Sequence, residues 1–455
     1  SHNIANANTK GYSRQVVNLE AARPIEALGM NRSTIPGQSG MGVEISSINR
    51  IRESFLDKQY YNENKYFGEW SVRRNTIEKL EGIVNEPSDT GIRQVMDNFW
   101  NAWHELSKQP DNMETRAVVK ESALALADAF NHTAKKLNDL DSDLSDHIAV
   151  KVQEVNSTLD QIRNLNLEIA RIEGFGNNAN DLRDQRDLLV DGLSRIININ
   201  VIEQDDGYHI SMGNEPLVEG AQVAEFDQAM VDAAYASGQL NSGELYGLTQ
   251  SKQVIVQKYR DEIGALVSTL ADAVNQIHQQ GYTLQEPATM GGMFFNYDPQ
   301  DPALSLEVHE DIRNNVANIA SSKRTYTDND GVERVVRGNN ELALEMAELR
   351  NVQMNFNSGA VGGIVLNGGT FDEYFRAVVG ELGVQGQEAN RQAQNQAVLL
   401  EQVDMRRQSV SGVSLDEEMA NMIKFQHAYN AAARSLTVFD EVLDRVINGM
   451  GIVGR

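Results

Sequence analysis

LNDLDSDLSDHIAVKVQEVNSTLDQIRNLNLEIARI, residues 137–172, carries apolar side chains at Leu137, Leu140, Leu144, Ile148, Val152, Val155, Leu159, Ile162, Leu165, Ile169 and Ile172. Every step is three or four residues, the repeat of one helix face. At 1.5 Å of rise per residue such a helix is about 50 Å long, so its stripe needs other long helices beside it. Gly174, Gly176, Asn177 and Asn178 then supply residues that tolerate the left-handed end of a helix. NDLRDQRDLLVDGLSRI, residues 180–196, starts a return helix, whose Asp184, Asp187 and Asp191 are expected to face solvent or pair with Arg183 and Arg186. A third stripe, Val256, Tyr259, Ile263, Leu266, Leu270, Val274 and Ile277, stops at Gly281. Shorter helical patterns cover 70–84, 92–106, 114–130 and 341–350, and the Gln-rich 385–396 suits a solvated helix surface or a loose connector. The fold class is mainly α with a smaller β-rich part: an elongated helical bundle or coiled-coil rod with an inserted β-rich lobe.

Two stretches change period. INVIEQDDGYHISM, 199–212, alternates around Asp205, Asp206 and Gly207, and RTYTDNDGVERVV, 324–336, repeats the pattern around Asp330 and Gly331. Both read as hairpins with tight glycine turns. The expected organisation is an extended N-terminal segment over 1–50 and a helical rod over 51–199. A β-rich insertion over 200–248, a returning rod helix over 249–282 and a β-rich lobe over 283–338 follow. The rod closes over 339–412, and a heptad helix and tail occupy 413–455.

Composition excludes several classes of function. The 455 residues, 41% of them hydrophobic, can bury a sizeable core. Forty Lys and Arg against 65 Asp and Glu give a formal charge of −25, which argues against nucleic acid or an anionic membrane as partner. With no cysteine there are no disulfides, thiolate metal sites or cysteine nucleophiles, and the redox compartment stays open. No apolar run reaches the ~18 to 20 residues of a membrane span, and no secretory signal pattern opens the chain.

The last helix carries the most specific pattern. In SGVSLDEEMANMIKFQHAYNAAARSLTVFDEVLDRVING, 411–449, one seven-residue series is Leu415, Met422, Tyr429, Leu436 and Leu443, and the other is Glu418, Phe425, Ala432, Phe439 and Val446. Only Glu418 breaks the seam. Ser414 with Glu417 forms a capping box, Asp416 favours the N-terminal end of the dipole, and Gly449 ends the helix. Burying an apolar seam residue gains roughly 1.5 to 3 kcal/mol, but only if another surface covers it. An internal helix of the bundle would be covered by its own chain; an assembly helix would be covered by another. The opposite end suggests the second. NIANANTKGYSRQ, 3–15, is rich in Asn and Gly, residues of helix ends and turns, and the chain opens on Ser1 rather than Met. Residues 3–11 therefore read as the end of a helix whose body lies upstream and would pair with the seam, followed by an extended stretch over 12–19.

NIANANTKGYSRQ, through Asn3, Ile4, Asn6, Asn8, Thr9, Gly11, Tyr12, Ser13, Arg14 and Gln15, resembles the N-terminal signature of bacterial flagellar axial proteins of rod, hook and hook–filament junction. The C-terminal heptads ending RVINGMG fit the paired terminal helices of that group. GMGVEISSINRIRESFLDKQY (40–60), GIRQVMDNFWNAWHELSKQPDNMETRAVVKESALALADAFN (91–131) and NANDLRDQRDLLVDGLSRI (178–196) narrow the resemblance to the hook-associated proteins of the junction. Many relatives carry a larger insertion in the middle, whereas the β-rich part here is short. The resemblance implies a structural adaptor joining hook to filament, not an enzyme. Its partners would be other copies of itself in a ring or tube, the hook protein and the second hook–filament junction protein. It also implies a cytoplasmic export chaperone on the C-terminal helix, passage through the type III export apparatus, and a final place in the extracellular flagellum. On this reading Leu415, Met422, Phe425, Tyr429, Leu436, Phe439, Leu443 and Val446 carry assembly and chaperone binding.

Chemistry has weaker signals. His104 and His427 lack a second His at metal-binding spacing and read as helix-face residues. GMGIVG, 449–454, matches a dinucleotide-binding pattern but opens no helix, and reads as a flexible tail. TDNDG, 327–331, resembles part of a calcium loop, with Arg337 where the bidentate Glu belongs, so a hairpin turn is expected. Trp70, Trp100 and Trp103 read as core. No nucleophile, base and orienting group assemble, and no cofactor is expected. The alternative is a secreted helical-stalk protein, an adhesin or a surface hydrolase, with its activity in the β-rich lobe.

Overall fold

The computed structural model describes residues 1–23, 42–84, 91–356 and 368–449. In chain order the first elements are α1 (His2–Ala5), β1 (Gln15–Ala21), β2 (Val43–Arg50), α2 (Ser54–Val84), α3 (Ile92–Lys108), α4 (Met113–Glu173) and α5 (Asn180–Ile196). A four-stranded antiparallel meander follows, β3 (Asn200–Gln204), β4 (Gly207–Met212), β5 (Glu215–Glu219) and β6 (Gln222–Val223). Then come α6 (Gln228–Ser237), α7 (Glu244–Gln250), a π-helical turn (Ser251–Val256), α8 (Gln257–His278), β7 (Phe295–Asn296), α9 (Pro302–Ser305), β8 (Glu307–Val308) and α10 (Glu310–Asn314). The remainder is β9 (Thr325–Thr327), β10 (Glu333–Val335), α11 (Glu341–Glu348), β11 (Met354–Asn355), β12 (Gly368–Gly369), α12 (Phe371–Ser411) and α13 (Leu415–Gly449). The protein is mainly α with small β sheets.

Several local expectations change. The stripe from Leu137 and the pattern over 114–130 belong to one helix, α4, of 61 residues. α2 begins at Ser54, well before Trp70, and the Gln-rich stretch lies inside α12, where Ala389 and Ala393 are buried. Both hairpins form, at β3–β4 and β9–β10. Within 200–248, however, strands end at Val223 and α6 and α7 fill the rest. The stretch 283–338 mixes strands of two or three residues with α9 and α10. The tail 450–455, with Gly451 and Gly454 of the dinucleotide-like pattern, lies outside the described residues.

The chain divides into two units, 1–64 with 155–226 and 398–455, and 65–154 with 227–397. In the first, the α4 stripe holds a polar residue at a core position. Leu165 is half-buried and Asn166 takes the buried place. Its amide donates to the Tyr208 carbonyl (3.1 Å) and the Gly220 carbonyl (2.9 Å) and accepts from Tyr208 N (3.1 Å) and Arg186 (3.0 Å). One side chain thereby ties two turns of the sheet to the helix. Gly207 completes the fit: its φ is +125°, and a Cβ there would sit 2.6 Å from the Asn166 side chain.

The second unit is built on aromatic packing. Phe99 of α3 meets Phe294 (6.2 Å between ring centroids) and Phe295 (5.9 Å), Trp103 meets Phe294 (5.6 Å), and Trp100 packs edge-on to Phe99 (5.0 Å) and stacks on Phe371. Trp70, expected in the core, is half-buried under the Arg73 guanidinium, 4.2 Å from its ring. Asn275 repeats the Asn166 device, accepting from Phe294 N (2.7 Å) and Phe295 N (2.9 Å) while donating to the Phe295 carbonyl (2.9 Å). His278 is buried between the Gly292 carbonyl, which accepts from Nδ1 (2.7 Å), and Ala320 N, which donates to Nε2 (2.9 Å). That pairing needs the neutral ring, and burial lowers its pKa to about 4. Arg116, fully buried, is held by the Pro110 carbonyl (2.6 Å), the Ile319 carbonyl and Ser321 Oγ (2.5 Å), and burial lowers its pKa to about 10.

Glu262 of α8 is fully buried, and neither carboxyl oxygen has a hydrogen-bond partner. Lys258 lies 3.8 Å away but is engaged by Glu381. Burial, with Glu381 and Asp261 nearby, raises the Glu262 carboxyl from 4.5 to about 7 against the pull of Lys258. The folded state therefore holds a proton that the unfolded chain releases, so stability falls as pH rises from about 4.5 to 7. Glu262→Gln should raise the melting temperature at pH 8 and change it little near pH 4.5. Calorimetry at the two pH values checks this, and an equal shift at both would refute it.

Candidate assembly interface

The N-terminal motif folds as a closed loop around one side chain. Asn3 is buried; its Nδ2 donates to the Gln15 carbonyl (2.9 Å), and its Oδ1 accepts from Gln15 N (3.1 Å) and the Tyr12 hydroxyl (2.8 Å). Between these ends Asn6 bridges the His2 carbonyl (3.2 Å) and the Thr9 hydroxyl (3.2 Å). Gly11 turns with φ +82°, where a Cβ would also press within 3.2 Å of Leu188. Ile4 is half-buried, and Asn8 and Thr9 are exposed. Burial, with Asp181, Asp184 and Glu418 nearby, pushes the Tyr12 hydroxyl up to about 12.

Three residues of the motif fasten this loop to the rest of its unit. Ser13 N donates to Asp184 Oδ2 (2.8 Å), and Gln15 Nε2 to Asp181 (2.7 Å). Arg14 does most: its backbone N donates to the Ser411 carbonyl (2.8 Å), its Nε to Glu418 (2.8 Å) and its Nη1 to Glu417 (2.8 Å). Arg14 thus holds the end of α12 and the first turn of α13 together. Glu418, the one polar break in the seam, is therefore an anchor. Glu417 spends its carboxylate on Arg14, and the capping box reduces to Ser414 Oγ accepting from Glu417 N at 3.5 Å.

Below the loop lies a buried ionic lattice, and here the expectation for α5 fails. Asp184, Asp187 and Asp191 point inward, and their partners come from far along the chain. Arg50 reaches Asp184 (2.7 Å) and Asp187 (2.8 Å), Arg52 reaches Asp57 (2.8 Å) and Asp187 (3.2 Å), and Arg407 of α12 reaches Asp191 (2.8 Å). Arg183 and Arg186, the expected partners, turn to Glu173 (2.7 Å) and Glu203 (3.1 Å). Burial pushes the Asp187 carboxyl up, but Arg52, Arg50 and the Tyr208 hydroxyl more than reverse this and leave it below the carboxylate range. At Asp191 burial outweighs Arg407 and Arg52, and its pKa rises to about 6. Helical spacing could not show this, because the partners are supplied by tertiary folding.

From that base α13 runs for 35 residues with no buried side chain. All eight expected seam residues are exposed, from 48% at Leu415 and Val446 to 75% at Tyr429. Met419, Ile423, Val438, Val442 and Ile447 are exposed as well and widen the stripe beyond the heptad seam. β1–β2 is also uncovered on both faces. His104 and His427 are exposed on their helices.

Asn3→Ala removes the acceptor of two donors and the donor to one carbonyl, an expected loss of about 1 to 3 kcal/mol concentrated on the loop. Hydrogen exchange should accelerate at the amides of Tyr12 to Gln15 and leave α3 and α8 unchanged; uniform acceleration would refute a local role.

Comparison with known proteins gives one answer. The sequence model described as the flagellar hook-associated protein FlgK helical domain matches residues 77–295, and that of the flagellar basal body rod FlgEFG protein C-terminal region matches 407–449. Flagellar hook-associated protein 1 of Bacillus subtilis is 34% identical over 504 aligned residues, covering 100% of this chain and 95% of that protein. The protein of the same name from Salmonella typhimurium is 26% identical, covering 98% and 96%. The structure of the flagellar hook junction protein FlgK from Burkholderia pseudomallei superposes with a TM-score of 0.64 at 14% identity, over 78% of this chain and 100% of that one, and shows the shared fold. With a full-length relationship at that identity, the chain belongs to the flagellar hook-associated protein 1 family.

Proposed function

We propose that this protein is a structural subunit at the junction of flagellar hook and filament, and that it polymerises through the exposed face of α13. The observation that carries the reading is a long helix, held at its root by Arg14 and the ionic lattice, whose apolar residues no described part of the chain covers. Such a face in water is an aggregation site until something occupies it. In the assembled flagellum the occupants are terminal helices of neighbouring copies, and the ends of the resulting ring or tube meet the hook protein and the second hook–filament junction protein. The relatives' name, hook-associated, supports the first of these contacts.

Before assembly the same face needs a temporary cover. A cytoplasmic chaperone on α13 and delivery through the type III export apparatus to the cell exterior meet that need. Among the described residues no helix is long and apolar enough to cross a membrane. The chain acts by packing, without catalysis.

Leu436→Asp with Leu443→Asp tests the reading. The melting transition and far-ultraviolet circular dichroism should stay near those of the parent, since both residues are exposed, while chaperone binding and incorporation into flagella are lost. Electron microscopy of a strain lacking its own protein, complemented with each version, reads the second outcome. Normal filaments from the double variant would overturn the proposal.

A further inference from the structure

The hairpin β1–β2 has an order that its sequence hides. Its register pairs Val17 with Ile48, Leu19 with Ile45 and Ala21 with Val43, while Val16 faces Asn49, Asn18 faces Ser47 and Glu20 faces Glu44. Directly paired residues share a face, and successive residues alternate. A bulge between Asn18 and Leu19 leaves Ser46 unpaired on β2 and brings Ile45 and Ile48, three residues apart, to the same side. Beyond the root pair Gln15–Arg50, which lies on the same side, one face is therefore apolar, and the other is polar but for Val16. The apolar side chains are in solvent, from 41% exposed at Val17 to 66% at Val43. A two-stranded hairpin alone is marginal in water and gains independent stability by packing against a helix or a further strand.

We infer that this apolar face is a docking surface for the middle of α13 of a second copy of the chain; the inference rests on the assembly reading above and names its second contact. Three observations select that occupant. The first is continuity: β1 starts one residue after Arg14, which also grips the first turn of α13, so a neighbour that covers α13 reaches the hairpin root. Charge is the second. The chain carries −25 and repels its own copies, and the hairpin adds Glu20 directly opposite Glu44. From Met419 to Phe439, α13 has no carboxylate and carries Lys424 and Arg434, so this stretch is spared that repulsion. Third, the stripe on α13 is wider than a two-helix seam: Met419 and Ile423 are exposed beside it, outside the a and d positions that a partner helix fills. A paired ribbon about 10 Å across with its side chains and a helix of like diameter cover one another's apolar side. The hairpin of one copy on the helix of the next is a heterologous contact, the kind that generates rings and tubes.

A photo-crosslinking residue tests this without assuming a register. Full-length protein carrying Ile45→p-benzoylphenylalanine is expressed in cells lacking their own copy, and assembled flagella are irradiated. The expected product is a two-chain species, several-fold more abundant than from the control Phe175→p-benzoylphenylalanine, with the adduct mapped by mass spectrometry to 419–439. An adduct within one chain, on a hook or filament protein, or no stronger than the control overturns the inference. Leu19→Asp with Ile45→Asp should reduce incorporation several-fold at unchanged melting temperature; undiminished incorporation also overturns it. If Leu436→Asp with Leu443→Asp blocks incorporation while the adduct misses α13, only this inference falls; if that double variant assembles normally, the parent reading falls.

Discussion

The guanidinium of Arg14 is the contact on which the exposed end of this protein depends. It lies between two carboxylates of α13, while its own backbone holds the last residue of α12. A buried ion pair gains little net stability over an apolar substitute, because desolvation takes back most of the attraction. The Arg14 pairs are only partly buried, with the Glu417 side chain 61% exposed, so what they supply is direction rather than much stability. The lattice of Arg50, Arg52 and Arg407 on the α5 aspartates extends the same logic downward. Segments more than a hundred residues apart in sequence are tied to one another by these ion pairs.

The division of labour follows from this. Aromatic packing around Phe99, Trp100 and Trp103 stabilises one unit in the ordinary way, through apolar area. In the other, apolar residues are left outside on α13 and on β1–β2, while the interior of α5 is filled with Asp184, Asp187 and Asp191. Apolar surface kept out of a core is available for packing against other chains, and Arg14 and the ionic lattice hold the elements from which it projects. The acidity of the whole chain acts against premature contact between copies.

Much of this was legible in sequence, and the rest was not for identifiable reasons. Period gave α5, α8 and α13 and the hairpins at Gly207 and Gly331, because each has a clear repeat and local stop signals. The heptads of α13 fall on side chains that no described part of the chain buries. Asp184, Asp187 and Asp191 were misread because a charged residue on a helix has local partners in sequence and distant ones in space. Asn166 was missed for a related reason: a polar residue beside Leu165 looked peripheral until the sheet supplied the backbone groups it bonds. At β1–β2 the bulge broke the alternation by which an apolar face is recognised.

Asn3, Asn156, Asn166 and Asn275 share a feature with a chemical consequence. Each amide gives a proton to a main-chain carbonyl and takes one from a main-chain N–H, as Asn156 does with both groups of Phe226. Hydrolysis of any of them to the acid would set an oxygen against an oxygen at the donor side and break the local pairing. The residues that follow are Ile4, Ser157, Leu167 and Gln276, none of them the glycine that speeds ring closure on an asparagine. Each amide is also locked by its own bonds, which gives the protein a long chemical lifetime at the positions where a single lost NH2 would matter most.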